Sequence, residues 1–184
     1  MLTPQISIIP AQVEHASALA KIHVESWRET YTGQMPQQLL DQLDISKRTT
    51  MWEQIISSSK SWEGVFLALD NGIPVGFVSF GKARGSELPE HGEDDGEVYA
   101  LYLLRAYQGR GIGWALWQKA TTSLRLSGAN QVYIWVLDTN QVAIDFYVRV
   151  GAAAHGIRRT ENIAGASLVE LLMVAPAEVA TEKI

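Results

Sequence analysis

Three glycines stand at alternate positions, Gly109, Gly111 and Gly113, in the segment "YQGRGIGWAL", immediately before a helical pattern. Glycine lets a backbone approach a ligand closely and adopt conformations that are closed to other residues. The first turn of a helix adds unpaired N–H groups and the positive end of the helix dipole. The segment therefore predicts a binding site for a phosphate-bearing ligand.

Two other phosphate-binding motifs fit this segment less well. A P-loop is excluded, because no Gly-Lys-Ser/Thr follows the glycines. A dinucleotide-binding turn would place a glycine where Trp114 stands, and would begin directly after the strand, whereas "RAYQ" intervenes. The order of strand, glycines, helix and strand supports the dinucleotide hypothesis, and so does Asp138, which ends the second strand where a ribose-binding acid could lie. A tight turn whose glycines serve helix–strand packing is the remaining alternative.

Two side chains near this segment could move protons. Glu97 begins the preceding strand, and strand alternation predicts that it shares an apolar face with Tyr99, Leu101 and Leu103. Such a face would raise the pKa of the carboxyl group and suit it to accept a proton. Tyr147 is a candidate general acid, because a phenol with a pKa of about 10 can donate a proton to a basic leaving group. The alternatives are that Glu97 is the last acid of a solvated run and that Tyr147 belongs to the core.

Composition excludes several classes of function. The 184 residues include no cysteine, which rules out disulfides, thiolate metal sites and a cysteine nucleophile. The net charge of −5 argues against nucleic acid as a partner. The four histidines have no metal-ligand spacing, so we expect no metal, and no Gly-x-Ser-x-Gly hydrolase motif occurs. The longest apolar segment, 163–177, contains Glu170 and is too short to span a bilayer, so we expect a cytoplasmic protein without a membrane partner.

The pattern of elements indicates how these residues are positioned. Apolar spacing and turn residues predict a mixed sheet of α+β or α/β type. The predicted strands are "QISIIP", two strands of a hairpin around "DNGIP", "EVYALYLL", "QVYIWVL", "AAAHGIRR" and "SLVELLMVA". The predicted helices are 13–31, a short one near Pro36, one capped by Ser46, 112–126, and one that follows Asn140 and ends before Gly151.

The segment Gln108–Gly113 fits the pattern Q/R-x-x-G-x-G/A, and here the chain resembles the GNAT superfamily of N-acetyltransferases. "EVYALYLLRAYQGRGIG" looks like the fourth strand of that family and its loop. "LDTNQVAIDFYVRVGA" resembles a later motif of the family, carried here by Asn140, Ala143, Tyr147 and Gly151. Arg105 and Ala152 depart from the pattern, where proline and phenylalanine are common, but neither touches the proposed chemistry.

The resemblance implies an α/β fold with a central, mixed, mostly antiparallel twisted sheet of about seven strands and four to five helices, as one domain over residues 1–184. It implies acetyl-coenzyme A as cosubstrate, with its pyrophosphate in the glycine loop and its pantetheine arm along the fourth strand. The implied contacts are Leu101, Tyr102, Leu103, Gln108, Gly109, Arg110, Gly111, Ile112, Gly113, Trp114, Asn140, Ala143 and Tyr147. Asn140 has a helix cap as its alternative role. Tyr147 and Glu97 are the implied catalytic residues, since the histone-acetylating branch has a glutamate at the offset of Glu97.

The resemblance also suggests where the acceptor binds, because the N-terminal helices roof the acceptor site in that family. Trp27, Tyr31 and Trp52 are therefore candidates for an aromatic wall, with core packing as the alternative. The acidic segment 87–95 could attract a cationic amine, and "RRTENIAGA" is a candidate specificity loop.

These observations together predict an N-acetyltransferase that acts by direct transfer, because no cysteine can carry the acetyl group. The acceptor is a small-molecule amine or a protein or peptide amine. A non-catalytic acyl-coenzyme A sensor or binding module on the same fold is the alternative, followed by a nucleotide-binding oxidoreductase. Many relatives dimerise, so a homodimer stays an open alternative.

Overall fold

In the computed structural model, which describes residues 5–85, 87–88, 94–163 and 166–177, seven strands form one sheet. The strands are β1 (Ile6–Pro10), β2 (Gly64–Asp70), β3 (Ile73–Lys82), β4 (Gly96–Leu103), β5 (Gln131–Leu137), β6 (Ala153–Ile163) and β7 (Ala166–Pro176). Their order across the sheet is β1-β2-β3-β4-β5-β7-β6. Only the β4–β5 pair is parallel, so the predicted mixed, mostly antiparallel sheet is confirmed.

Five α-helices accompany the sheet in the described part of the chain. They are α1 (Ala16–Tyr31), α2 (Gln37–Asp41), α3 (Ile45–Ser58), α4 (Ile112–Leu126) and α5 (Gln141–Arg149). The pattern from residue 13 begins as a 3₁₀ turn that leads into α1. The predicted cap of α3 at Ser46 is wrong, because the Asp44 carboxylate accepts a hydrogen bond from the Lys47 N–H at 3.0 Å and the helix begins between them.

The two hairpins differ in how well the sequence predicts them. Asn71 and Gly72 both have positive φ, 50° and 82°, which fits the tight turn predicted between β2 and β3. In the last hairpin, β6 continues to residue 163, and its residues 160–163 still pair with β7. Most of "TENIAGA" is therefore strand instead of loop, and residues 164 and 165 lie outside the described residues.

Apolar packing on both faces holds β4 at the centre of the sheet. On one face, Val78 and Val98 pack with Leu116 and Leu124 of α4. On the other face, Ala100 and Tyr102 of β4 pack against the cluster that Phe77 forms with apolar residues of α1 and α3. Full burial of each such side chain contributes about 1.5–3 kcal/mol, so β4 is firmly anchored.

The two central strands separate soon after they begin. β4 and β5 pair only at Gly96↔Val132 and Glu97↔Tyr133. The rest of β4 keeps its antiparallel ladder with β3 on one edge but has no ladder partner on the edge that faces β5. A wedge-shaped opening with free backbone N–H and C=O groups on its β4 side follows from this divergence.

An extra residue in β4 alters which side chains share a face. Ser79 pairs with Ala100, whereas the next residue of β3, Phe80, pairs with Val98, so Tyr99 is the inserted residue of a β-bulge. Val98 lies in the same core cluster as Leu101 and Leu103. Because consecutive side chains alternate, Glu97 lies on the opposite face from these residues, and the prediction of one shared face is wrong.

Candidate active site

A cavity of about 1180 Å³ lies where β4 and β5 diverge. Its volume exceeds that of typical single-ligand pockets, so a cosubstrate and an acceptor could occupy it together. The structure brings most of the predicted site residues to its walls, namely Trp27, Tyr31, Glu97, Leu101, Tyr102, Leu103, Gln108, Gly109, Gly111, Gly113, Trp114, Asn140, Ala143 and Tyr147.

The glycine loop has the backbone that its sequence requires. Gly109 and Gly111 have φ of 72° and 78°, in the left-handed region that favours glycine, and Gly111 is the N-cap of α4. A Cβ at either position would meet nothing within 4 Å, so packing does not account for these two glycines. At Gly113, by contrast, a Cβ would lie 3.4 Å from the Phe146 ring, which fits close helix packing.

The start of α4 offers unpaired N–H groups. The first backbone bond of this helix runs from Ala115 N–H to the Gly111 carbonyl at 3.0 Å, so the N–H groups of residues 112–114 precede the helical ladder. The side chains of Arg110 and Ile112 do not line the cavity. Arg110 pairs with Asp70 at 3.8 Å, and Ile112 is buried in the core, so each could contact a ligand only through its backbone as the loop stands.

Gln108 and Asn140, two of the predicted cosubstrate contacts, also form side-chain hydrogen bonds within the protein. The Gln108 side chain donates from Nε2 to the Leu103 carbonyl at 3.1 Å, which ties the loop to the end of β4. Asn140 caps α5 by accepting from the Ala143 N–H at 3.2 Å. Both residues line the cavity as well, so the cap is present and does not by itself exclude a ligand contact.

Tyr147 is a buried phenol in the wall of the cavity. Its side chain is only 6% exposed and packs edge-on against Trp117 and Phe146, with ring centroids 5.8 and 5.3 Å away. Burial raises the pKa of Tyr147 above that of a free phenol, and the nearby Tyr31 adds to the shift. The phenol therefore keeps its proton at neutral pH.

Glu97 is a buried carboxyl group and not the end of a solvated run. It is 7% exposed, lines the cavity and accepts a hydrogen bond at Oε2 from the Arg84 N–H at 2.9 Å. Burial raises the pKa of Glu97, while the hydrogen bond and the charge of Arg84 oppose that shift. The group is thus suited to exchange a proton closer to neutral pH than an exposed glutamate.

The predicted aromatic wall divides between two cavities. Trp27 and Tyr31 line the large cavity with their rings 5.3 Å apart. Trp52 is 2% exposed, packs 4.9 Å from Phe77, and lines a second cavity of about 250 Å³ instead. His23 lies beside it, and burial lowers the pKa of this histidine to about 3, so it is uncharged.

Four charged or aromatic residues from the last three strands also line the large cavity, namely Trp135, Arg159, Glu161 and Glu170. Arg159 and Glu161 belong to "RRTENIAGA", the predicted specificity loop, whereas the sequence analysis did not assign Trp135 and Glu170 to the site. Arg159 Nε lies 2.6 Å from Glu170 Oε2, and the guanidinium lies 4.3 Å from the centre of the Trp135 ring. In the sequence, Glu170 could have indicated this part of the site, because a carboxylate inside an apolar strand indicates a polar surface on one face of that strand.

Some predicted features fall wholly or partly outside the described residues. Of the acidic segment 87–95, residues 89–93 are not described, and Asp95 is buried, with the Tyr133 hydroxyl donating to it at 3.2 Å. Among the described residues, no group of three or more His, Cys, Asp or Glu side chains could hold a metal ion. Within the same residues, no helix is long and apolar enough to cross a membrane.

Comparison with known proteins relates this geometry to an enzyme family. Residues 18–152 match the family model of the acetyltransferase (GNAT) family. The chain is 36% identical over 143 residues to the uncharacterized N-acetyltransferase YuaI of Bacillus subtilis, which covers 77% of each chain.

Two solved structures share the fold. The PaiA N-acetyltransferase of Thermoplasma acidophilum, in complex with coenzyme A, aligns over 94% of this chain and 99% of its own, with a TM-score of 0.72 and 20% identity. YncA of Salmonella typhimurium, a putative acetyltransferase with its cofactor acetyl-CoA, aligns over 96% of each chain, with a TM-score of 0.67 and 18% identity.

Proposed function

Because the chain belongs to the acetyltransferase (GNAT) family of acyltransferases, we propose that it transfers the acetyl group of acetyl-coenzyme A to a primary amine by direct attack. The main support is the large cavity, where the glycine loop, the unpaired edge of β4, Glu97 and Tyr147 all meet one space. A nucleotide-binding oxidoreductase has no corresponding support, because "RAYQ" separates the strand from the glycines.

The residues at the loop fit the phosphates of the cosubstrate. Gly109 and Gly111 leave open space where other residues would carry a Cβ, and the first N–H groups of α4 are unpaired. An anion there is favoured by the helix dipole as well. We therefore assign the pyrophosphate of acetyl-coenzyme A to this loop, with Gln108 holding the loop against Leu103.

The free edge of β4 fits the pantetheine arm. Leu101 to Leu103 have ladder partners on β3 but none on the β5 side. Apart from the Leu103 carbonyl, which accepts from Gln108, the N–H and C=O groups that point outward there can pair with amides of a ligand. One such N–H would also stabilise negative charge on the carbonyl oxygen of the acetyl group. The cosubstrate supplies an acetyl group activated as a thioester.

Glu97 acts as the proton acceptor in this proposal. An alkylammonium ion must lose a proton before its nitrogen can form the new C–N bond. The Glu97 carboxylate takes that proton, directly or through one water, and the Arg84 N–H holds Oε2 in place. The raised pKa of Glu97 makes its carboxylate a stronger base than an exposed one.

Tyr147 acts as the proton donor. As the C–S bond breaks, the phenol Oη–H of Tyr147 supplies a proton to the sulfur, so that coenzyme A leaves as the thiol. The phenol is protonated beforehand because its pKa is raised by burial. After the C–N bond forms, the nitrogen loses its second proton, which passes directly or through water to the phenolate that Tyr147 has become. Glu97 then releases its proton to solvent, so both side chains return to their starting state.

The experiment that tests the proposal follows thiol release from acetyl-coenzyme A with a panel of primary amines. Direct attack predicts intersecting lines in double-reciprocal plots of initial rate, because both substrates must be bound together. Parallel lines would contradict direct attack. Binding of acetyl-coenzyme A without thiol release for any amine would instead support the non-catalytic sensor.

A further inference from the structure

One face of the strands β5, β7 and β6 presents charged and aromatic side chains to the active-site cavity. Glu170 pairs across the sheet with Arg159 on one side and Leu137 on the other. Paired residues and their second neighbours share a face, so Trp135, Glu161 and Glu170 point to the same side as Arg159. All four line the cavity, and we call them the acidic wall.

Carboxylates outnumber cations at this wall. Arg159 Nε lies 2.6 Å from Glu170 Oε2 and 3.7 Å from Glu161 Oε1, so one guanidinium is shared by two carboxylates. Glu97 responds to the same charges, because Arg159 lowers its pKa and Glu170 raises it. When Glu97, Glu161, Glu170 and Arg159 are all ionised, three negative charges face one positive charge at this part of the cavity.

Two further cations line the cavity on other elements than the wall. Arg105 belongs to the segment just before the glycine loop, and its N–H and guanidinium both bond to Glu29 of α1. Arg149 lies in the last turn of α5. Arg159 is therefore the cation that faces Glu161 and Glu170 in the described part of the chain.

Aromatic rings line the same cavity. Trp27 and Tyr31 of α1, together with Tyr102 of β4, accompany Trp135. The electron-rich face of an aromatic ring attracts a cation, and the Trp135 ring already has the Arg159 guanidinium 4.3 Å from its centre. Carboxylates and ring faces together are the groups that recognise alkylammonium ions.

We propose that the acceptor is a small diamine or polyamine, whose reacting amine lies near Glu97 while a second ammonium group binds Glu161 and Glu170 of the acidic wall. The inference rests on the acetyl transfer proposed above. A carboxylate-bearing acceptor would face these two glutamates, since Arg159 is already paired with them. A simple alkylamine has no second ammonium group, so it would leave Glu161 and Glu170 with Arg159 as their shared cation.

The first test compares three acceptors with the same spacer of four methylene groups, namely putrescine, n-pentylamine and δ-aminovalerate. Beyond that spacer they carry an ammonium, a methyl and a carboxylate group. We expect kcat/KM for putrescine to exceed that for n-pentylamine by about tenfold or more, as for one charge-assisted contact, with δ-aminovalerate lowest. Equal or better turnover of n-pentylamine or δ-aminovalerate would overturn the proposal.

The second test changes the wall. In Glu170→Gln, the advantage of putrescine over n-pentylamine should shrink by about tenfold. Turnover of n-pentylamine should fall less than that of putrescine, because this acceptor loses no contact and responds only to the altered charge near Glu97. δ-Aminovalerate should gain relative to both, because Arg159 loses its partner. Glu161→Gln should act in the same direction but less, because Glu161 is 48% exposed and lies farther from Arg159.

The control is Glu53→Gln, the same change at an exposed position of α3. A parallel loss for all three acceptors would overturn the proposal.

A separate measurement distinguishes this inference from the proposed function. If none of the three amines is acetylated, the diamine proposal is overturned. Calorimetric binding of acetyl-coenzyme A, followed by a trial with a peptide N-terminal amine, then tests the function itself. Binding and peptide acetylation would leave the acetyltransferase proposal intact, whereas absence of both would remove it too.

Discussion

Two buried ionisable side chains, Glu97 and Tyr147, lie in one cavity, and we propose opposite proton-transfer roles for them. Burial raises the pKa of both Glu97 and Tyr147. For a carboxyl group this shift makes a better base, and for a phenol it secures the proton that a leaving group requires. The same physical cause therefore supports both proposed roles, and each can be tested on one residue.

Tyr147→Phe removes the hydroxyl group and keeps the ring that packs against Trp117. We expect turnover to fall by about a hundredfold, at the lower end of the usual contribution of a general acid. The affinity for coenzyme A should stay nearly unchanged, because the loop that binds it is intact. Steady-state kinetics and calorimetry measure the two quantities. Unchanged turnover would assign Tyr147 to the core alone.

Glu97→Gln separates activity from stability. The folded-state pKa of Glu97 lies above 4.5, so its protonated form is favoured by folding, and that stability is lost as pH rises through the raised pKa. The variant should turn over more slowly. Its kcat/KM should also no longer fall at low pH, because the group whose protonation causes that fall is absent. Its free energy of unfolding at neutral pH should equal or exceed that of the original protein.

Urea unfolding of both proteins at several pH values checks this stability difference. The advantage of the glutamine variant should grow between pH 4.5 and neutrality, since only the original protein then carries a buried charge. A variant that keeps full turnover would contradict the role of Glu97 as base. A variant that is less stable at neutral pH would contradict the cost assigned to its burial.

At the scale of elements, the loop before α4 can be tested with a matched control. Gly111 and Gly72 have φ of 78° and 82°, and a Cβ at either would meet nothing within 4 Å. Gly111→Asp and Gly72→Asp therefore carry a similar backbone strain. We expect only Gly111→Asp to abolish coenzyme A binding, because it places a negative charge beside the pyrophosphate. Equal affinity of the two variants would mean that the loop is not the site.

The β-bulge of β4 provides a second test, because its inserted residue holds the segment that positions Glu97. The Tyr99 hydroxyl donates to the Lys82 carbonyl at 2.6 Å, and the Arg84 guanidinium lies 3.4 Å from the centre of the Tyr99 ring. The Arg84 N–H in turn binds Glu97. Loosening this segment should weaken the bond that stabilises the ionised carboxylate.

Tyr99→Leu should therefore shift the acidic limb of kcat/KM to higher pH, because the pKa of Glu97 rises when the Arg84 N–H is withdrawn. Tyr99→Phe keeps the ring under Arg84 and loses only the bond to Lys82, so its shift should be smaller. The pH dependence of kcat/KM measures both. An acidic limb that does not move in Tyr99→Leu would contradict this positioning role.

The predictability of each element follows from the range of the interactions that form it. The glycine loop, α4 and the Asn140 cap depend on neighbours in sequence, and the sequence predicts them. The bulge at Tyr99 depends on the register against β3, so alternation alone misplaces Glu97 relative to Leu101. The acidic wall needs β5, β6 and β7 side by side, which no local pattern encodes. The prediction of the α3 cap was wrong for a local reason, because Asp44 and Ser46 are both good N-cap residues and lie two positions apart.

At the scale of the whole molecule, the cavity exists because the sheet is incompletely paired at its centre. β1 to β4 form one ladder and β5 to β7 another, and the two meet at only two residue pairs. A ligand that binds along β4 supplies polar partners where the sheet lacks them. The opening between the two halves of the sheet is therefore the structural basis of the proposed activity.

Calorimetric titration with acetyl-coenzyme A, coenzyme A and NADH tests the central claim most directly. The account predicts micromolar binding of both coenzyme A species, none of NADH, and loss of this binding in Gly111→Asp but not in Gly72→Asp. If neither coenzyme A species binds, or if NADH binds in their place, the glycine loop is not an acetyl-coenzyme A site and the proposed function is contradicted.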